Sequence, residues 1–459
     1  MLPILADWEL ICQYSKIGGF NFELHNSTEL KKLDKVPAGK IPSVSRGIDE
    51  LPSILLENSF HLLNALHGSE KMIRKSLFTL AFGAVLAFFA RPVDVSAQAM
   101  ESVEPFKVGT FAINDVPTVG LVMRNDQLIV DLAAANRAME LRSQYSKVTM
   151  PGDMLGLIEN YEYGLKYRIY EVVNWLAAEN LLTGSSLPGY VHPVSSVDIM
   201  APIQYPSKLM NAAVNFYTHA CEGCNDDELA RRVSERQENR GVPYLFLKPT
   251  RGAIIGDGDD IIMPFGRDRV EWEVEMAIVF GRTGKYISSH RAYDHVFGYM
   301  VAMDISDRGG RPPGGYGSGS DWFVGKGHDT FAPHGPWIVP KEFYGDPMER
   351  LHQTLVIDGV TVQEARAGDM IHNIPELIEY ASSLITIFPG DVLQSGTSGG
   401  TGEGRVERAS GSGYLIDGET ISANIEGIGS LTHTVRVETS IPDDLSGAQL
   451  PPVRSYRPN

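Results

Sequence analysis

Apolar and polar positions along residues 271–280, EWEVEMAIVF, alternate with a period of two. That period predicts a β-strand with Glu271, Glu273 and Glu275 on one face. Three like charges in a row repel one another, and Glu is disfavoured in strands. They need either solvent or a cation. Other runs read the same way. FKVGTFAIN, PTVGLVMR and QLIVDL, between Phe106 and Asp131, are short strands broken by turn residues. YLFLK, HGPWIVP, TLVIDGV and YLIDGETISANIEGIGSL are strands separated by Gly and Pro. Residues 151–181 switch to helical spacing. NDDELARRVSERQENRG has no wide apolar face and reads as a solvated helix, the alternative being a lid over a site. RGGRPPGGYGSGS, from Arg308 to Ser320, is a flexible loop or one that closes over a ligand.

These elements predict an α+β, β-rich chain with a boundary near residue 200, where TGSSLPGYVHPVSS supplies turn residues. Residues 100–200 form a smaller N-terminal α+β domain, residues 201–440 the catalytic domain, and residues 441–459 a Pro-rich tail. Upstream, Arg74 and Lys75 precede an apolar run from Ser76 to Ala90, and Ala97-Gln98-Ala99 follows. That is the layout of a secretory signal peptide over residues 72–99, and the run is shorter than the roughly 20 residues a spanning helix needs. On this reading the chain is exported, periplasmic or secreted, with no stable membrane span in its mature form. Residues 1–71 would be a non-native upstream extension.

Charge narrows the partners. The formal net charge is −17, and ten acidic and ten basic residues cancel over residues 1–99, so the excess belongs to the remainder. A domain this acidic, without a basic stripe, is not a nucleic-acid binder. Three cysteines are not a disulfide framework. Cys221 and Cys224, in HACEGC, are either bridged in an oxidising compartment or packed as thiols.

Two Glu at i and i+2 on a strand sit about 6.6 Å apart at Cα and can converge on one ion. All-oxygen ligands select Mg²⁺, Mn²⁺ or Ca²⁺ over zinc. Asp304, ending the β-rich GYMVAMDISDR, is a candidate third ligand, against the plainer reading of a solvent-facing acidic strand. His219 and Glu222, three apart, meet if their segment is helical, and the carboxylate would fix the imidazole tautomer.

In order along residues 205–436, NFYTHACE, FLKPT, EWEVEMAIVFG, GYMVAMDISDR, WFVGKGHDTFAPHGPWIVP, FPGDVLQSGTSGGTG and IEGIGSLTHTV resemble the fumarylacetoacetate hydrolase (FAH) family. The resemblance implies the FAH-type mixed β-roll/sandwich fold and one divalent ion, usually Mg²⁺, on Glu273, Glu275 and Asp304. It implies His219 with Glu222 as the water-activating pair and Lys326 reaching the substrate oxygen near the metal, with a lowered pKa. Arg308 and Thr397 would contact substrate, and Arg311 adds a second arginine beside the cleft. Lys248 matches as a supporting residue, and Glu271 has no implied role. After Arg308 the sequence departs from the family's Asp-x-Gln, reading Gly309, Gly310 and Arg311. The specificity of well-studied members is therefore not transferred. The implied activity is metal-dependent hydrolysis of a C–C bond in a 1,3-dicarbonyl or acylpyruvate-type substrate. The alternatives are a 2-oxo acid decarboxylase or dienoate isomerase/hydratase on the same scaffold, or a non-catalytic periplasmic ligand-binding protein. A small anionic or oxygen-rich substrate and a homodimeric assembly are expected.

Overall fold

The alternation over residues 271–280 is only half of the local story, because every residue from Val270 to Phe280 is buried. In the computed structural model the strand proper is Val274–Phe280, preceded by a separate two-residue strand, Val270–Glu271, with Trp272 and Glu273 between them. The structure describes residues 100–184, 186–309, 321–404 and 410–439. The expected upstream extension, signal peptide and C-terminal tail, together with Arg311, lie outside the described residues.

Strand Val274–Phe280 sits deep in the main sheet. In spatial order that sheet runs Val191–Pro193, Leu128–Asp131, Val116–Met123, Lys107–Ile113, Ala332–Pro340, Val296–Met303, Val274–Phe280, Val392–Gln394, Leu209–Ala212 and Leu245–Leu247. Its pairs along this path are antiparallel except Val392–Gln394 with Leu209–Ala212. The three early strands continue the sheet that carries the later ones, joined where Val108 faces Ile338. A second sheet runs Val360–Arg366, His352–Ile357, Thr420–Ile425, Gly429–Val437 and Ile261–Met263.

Successive side chains of a strand point to opposite faces, and here both faces are covered. Val274, Met276, Ile278 and Phe280 join Leu355, Ile357, Ile421, Ala423 and Leu431 in the core against the second sheet. Ala277 and Val279 join Phe297, Met300 and Ile338 with residues of the helices Met154–Asn160 and Lys166–Ala178. The acids at 273 and 275 alternate in step with Ala277 and Val279, so burial on both sides carries them indoors. A solvent-facing acidic strand is thereby ruled out.

The helical stretch expected over 151–181 is present, interrupted at Tyr163 and Gly164, where φ at Gly164 is 118°. The short Ala-rich helix Leu132–Met139, capped by Asp131, has no counterpart in the sequence reading. Helix Asp226–Glu238 buries none of its side chains, as its polar sequence predicts.

His334, on strand Ala332–Pro340, is fully buried and bonded through Nε2 to Gln394 at 2.9 Å. Burial, reinforced by nearby Lys248, pushes its pKa down to about 3. The unfolded chain then binds the proton more readily, so His334 contributes stability above pH 6.5 that is lost as pH falls. From pH 7 to pH 5 that loss is about 2 kcal/mol. Urea unfolding of the wild type and His334→Gln at both pH values should show the smaller acid loss in the variant; equal losses would contradict this.

Candidate active site

The three carboxylates proposed from spacing do converge. Glu273, Glu275 and Asp304 are 4%, 0% and 1% exposed, and one oxygen from each lies within 4.8 Å of the others. Strand geometry brings this about. Val274–Phe280 pairs with Val296–Met303 so that Val274 faces Met303 and Glu275 faces Ala302, and the N–H of Asp304 donates to the carbonyl of Glu273 at 2.9 Å. Asp304 is thus held beside the Glu pair by the ladder itself.

Each carboxylate has a different environment. Glu273 accepts from Lys326 Nζ at 3.0 Å on both oxygens, from Arg308 Nη2 at 2.6 Å and from Ser306 Oγ at 2.9 Å. Burial alone would raise its pKa, but Lys326, Arg308 and His219 outweigh it and hold the group at about 2. Asp304 accepts from Lys326 Nζ at 2.6 Å and from Lys248, which also donates to the carbonyls of Ile305 at 3.1 Å and Phe331 at 2.6 Å. Glu275, fully buried, has the fewest hydrogen-bond donors of the three. Its Oε2 accepts from the Gly396 N–H at 2.7 Å, while Oε1 is buried with no hydrogen-bond partner among the described residues. Burial, with Asp304 and Glu273 adding repulsion, raises its pKa well above the usual carboxylate range.

That orphaned oxygen is what an oxygen-coordinated cation would satisfy, and the all-carboxylate donor set suits a hard ion. The local charge balance agrees. Glu271, Glu273, Glu275 and Asp304 face Lys248, Lys326 and Arg308. Glu403 also lies 3.8 Å from Arg308, so with all eight groups ionised two negative charges remain, which one divalent ion would neutralise.

Glu271 is fully buried. Its Oε1 accepts from Arg308 Nε at 2.5 Å and its Oε2 from the Glu403 N–H at 2.6 Å. Burial and Glu273 raise its pKa to about 7 against the pull of Arg308. Periodicity places Glu271 on the face of the pair but gives it no partner; the break at Trp272–Glu273 lets Val270–Glu271 pair instead with Ser306–Asp307.

His219 and Glu222 meet as expected, with Nδ1 to Oε1 at 3.0 Å, although His219 starts a single 3₁₀ turn, His219–Cys221, and Glu222 follows it inside the turn that the Cys224 N–H closes on the Cys221 carbonyl. Thr401 Oγ1 donates to the same Glu222 oxygen at 3.0 Å. An ionised carboxylate only accepts, so in the neutral ring the His219 proton belongs on Nδ1 and Nε2 keeps its lone pair. Cys221 and Cys224 are disulfide-bonded.

Three residues make contacts beyond those expected. Lys326 was expected to have a lowered pKa once desolvated beside a cation; in the metal-free protein burial does pull it down, but Asp304 and Glu273 against its ammonium leave it raised. Thr397, expected to contact substrate, donates its hydroxyl to the carbonyl of Val274 at 2.8 Å and accepts from Gln363 at 2.9 Å, which fixes its direction. Arg308 is bound to Glu271 and Glu273, so its described contacts orient two acids. Lys248, Ser306 and Thr401 belong to the site through contacts that no spacing in the sequence announces.

Comparison with known proteins gives a consistent picture. The fumarylacetoacetate (FAA) hydrolase C-terminal profile matches residues 218–436. The chain is 34% identical over 205 residues to 2,4-didehydro-3-deoxy-L-rhamnonate hydrolase of Sphingomonas sp. (strain SKA58), covering 45% of this chain and 69% of that protein. It is 32% identical over 250 residues to the mitochondrial oxaloacetate tautomerase FAHD2A of Bos taurus, covering 53% and 71%. Among solved structures it resembles maleylpyruvate hydrolase from Sphingobium sp. SYK-6 in complex with manganese(II) and pyruvate, with TM-score 0.51, 26% identity, and 72% and 100% of the two chains covered. With its β-rich α+β fold and this ordered match, the chain belongs to the fumarylacetoacetate hydrolase family, whose enzymes include carbon–carbon hydrolases and isomerases.

Proposed function

We propose that this protein is a divalent-metal-dependent hydrolase that cleaves a C–C bond in an acylpyruvate-type 1,3-dicarbonyl acid. The observation that carries the reading is the buried carboxylate triad with its unpartnered Glu275 oxygen, set within reach of the field of a carboxylate-oriented imidazole. Glu273, Glu275 and Asp304 would hold the cation, with Mg²⁺ the expected occupant and Mn²⁺ an acceptable one. Bound there, such an ion supplies Lewis acidity toward substrate oxygens.

The remaining steps belong to the chain. His219 Nε2 takes a proton from water as the water oxygen adds to the distal carbonyl carbon. Glu222 holds the imidazolium that results. Collapse breaks the C–C bond and leaves its electron pair on the 2-oxo acid fragment, where the charge spreads to oxygen. Lys326, already positioned by Glu273 and Asp304, stabilises that charge. Return of a proton to carbon completes a carboxylic acid and a 2-oxo acid.

A second reading, enol–keto proton transfer on a 2-oxo diacid, draws on the likeness to the bovine oxaloacetate tautomerase. Product analysis separates the two, since hydrolysis adds one water to the mass and tautomerisation adds nothing. Assay of a panel of acylpyruvates, β-diketones and 2-oxo acids with Mg²⁺ or Mn²⁺ should show hydrolysis of acylpyruvates. Activity should disappear with EDTA and return with metal. Full activity in EDTA, or no acylpyruvate turned over by metal-loaded protein, would overturn the proposal.

A further inference from the structure

The turn that carries His219 and Glu222 has an unusual anchorage. Its N-terminal side is tied to the core: Phe216 is fully buried, the Ala220 N–H donates to the Phe216 carbonyl at 2.9 Å, and the Tyr217 N–H donates to the Asp369 carbonyl at 2.9 Å. Its C-terminal side runs straight into helix Asp226–Glu238, capped by Asn225, and that helix buries no side chain. Glu222 is held from across the site by the Thr401 hydroxyl at 3.0 Å and by the Gly400 and Thr401 N–H groups at 3.3 and 3.4 Å, while the helix that follows contributes no packing.

The disulfide stands at that junction. Cys221 and Cys224 flank Glu222, with Cα atoms 5.5 Å apart. Cys221 is buried at 6% exposure, and the Cys224 N–H closes the turn on the Cys221 carbonyl at 3.0 Å. Gly223, at φ 73°, makes the left-handed bend that a side chain would strain. Within this bracket Glu222 faces His219 Nδ1 and the Thr401 hydroxyl. A Cβ on Gly404 would come within 2.1 Å of Glu222 Oε2, so the carboxylate is packed against backbone there with little room to shift.

We propose that the Cys221–Cys224 disulfide is a positioning element for the His219–Glu222 pair, isolating it from motion of the solvated helix that follows. The inference rests on the role proposed above for that pair. A bridge across so short a loop constrains the unfolded chain little, so its main effect is on local geometry and not on global stability. Reduction by a dithiol passes two electrons and two protons to the bridge, giving two protein thiols and the cyclic disulfide of the reagent. With the bridge open, only the contacts of Glu222 to Thr401 and Gly400 oppose displacement of the turn, so Glu222 can shift relative to Nδ1 and the imidazole can exchange tautomers.

The test uses the full chain in three forms: the oxidised wild type, the wild type reduced with dithiothreitol, and Cys221→Ser/Cys224→Ser. ¹⁵N-histidine NMR, with His219 assigned through His219→Gln, should show a single Nδ1–H tautomer in the oxidised form and an averaged one in the other two. With Mg²⁺ and 2,4-dioxopentanoate, kcat should fall about 10- to 100-fold at unchanged KM, and reoxidation of the reduced wild type should restore it. An unchanged His219 tautomer in the reduced wild type would overturn the proposal, whether or not the double variant folds. The NMR result is independent of substrate, so failure to turn over 2,4-dioxopentanoate would count against the proposed activity alone.

Discussion

Glu275→Gln should abolish tight binding of a divalent cation and lower turnover of an acylpyruvate by about a thousandfold or more. The substitution is nearly isosteric and can keep the bond from the Gly396 N–H, which is 2.7 Å long. What it removes is the charge and the free oxygen of a fully buried carboxylate. Charge stabilisation by a Lewis-acidic ion amounts to several kcal/mol, and about 4 kcal/mol corresponds to a thousandfold in rate. The loss should be in binding as well as rate, seen by titrating Mn²⁺ and following its electron paramagnetic resonance signal. Because burial raises the pKa of Glu275, a proton competes with the cation for this carboxylate more strongly than for an exposed one. Wild-type affinity should therefore weaken as pH falls. The same group makes the metal-free protein less stable as pH rises from the unfolded carboxylate value through the raised folded one. Wild-type affinity in the variant would show that Glu275 is not a ligand.

His219→Ala should leave Mn²⁺ binding intact and lower kcat by about 10²- to 10⁴-fold, the range for loss of a general base. Glu222→Gln should be damaging for a different reason. A Gln amide can donate to Nδ1, which moves the ring proton to Nε2 and removes the base. The Thr401 hydroxyl, 3.0 Å from that same atom, would have to accept from the amide where it now donates, while the remaining amide oxygen keeps the Gly400 N–H at 3.3 Å, so the side chain would stay in place while its chemistry inverts. Stopped-flow measurement of single turnovers, with ligand binding measured separately, distinguishes an enzyme from a binder: an enzyme loses turnover at retained affinity. Unchanged single-turnover rates in both variants would remove this pair from the mechanism.

The sequence made some of this site legible because the relevant signals are local. A strand repeat of two puts Glu273 and Glu275 on the same side, and three residues of a helical turn bring His219 to Glu222. Asp304 was placed by resemblance and then explained by the ladder that pairs Glu275 with Ala302. The rest depends on contacts distant in the chain. Glu271 gains its partners only because the strand breaks at Trp272–Glu273 and the 402–404 turn folds over it, with the Glu403 N–H at 2.6 Å. Lys248 was matched by resemblance as a supporting residue, but only the fold shows what it supports, with the carbonyls of Ile305 and Phe331 and the carboxylate of Asp304 around its ammonium. The motif around Thr397 fixes its position in the chain, while the direction of its hydroxyl, toward the carbonyl of Val274, is seen only in the fold. The early strands were assigned correctly, but their junction with the later sheet, Val108 against Ile338, carries no local signature.

The account stands or falls on one cation among three acids. Crystals grown with Mn²⁺ and measured at the manganese absorption edge should give one anomalous peak within about 2.0–2.3 Å of an oxygen of Glu273, Glu275 and Asp304, and none there in Glu275→Gln. A fully loaded protein whose manganese peak lies elsewhere, or whose three carboxylates share no ion, would contradict it.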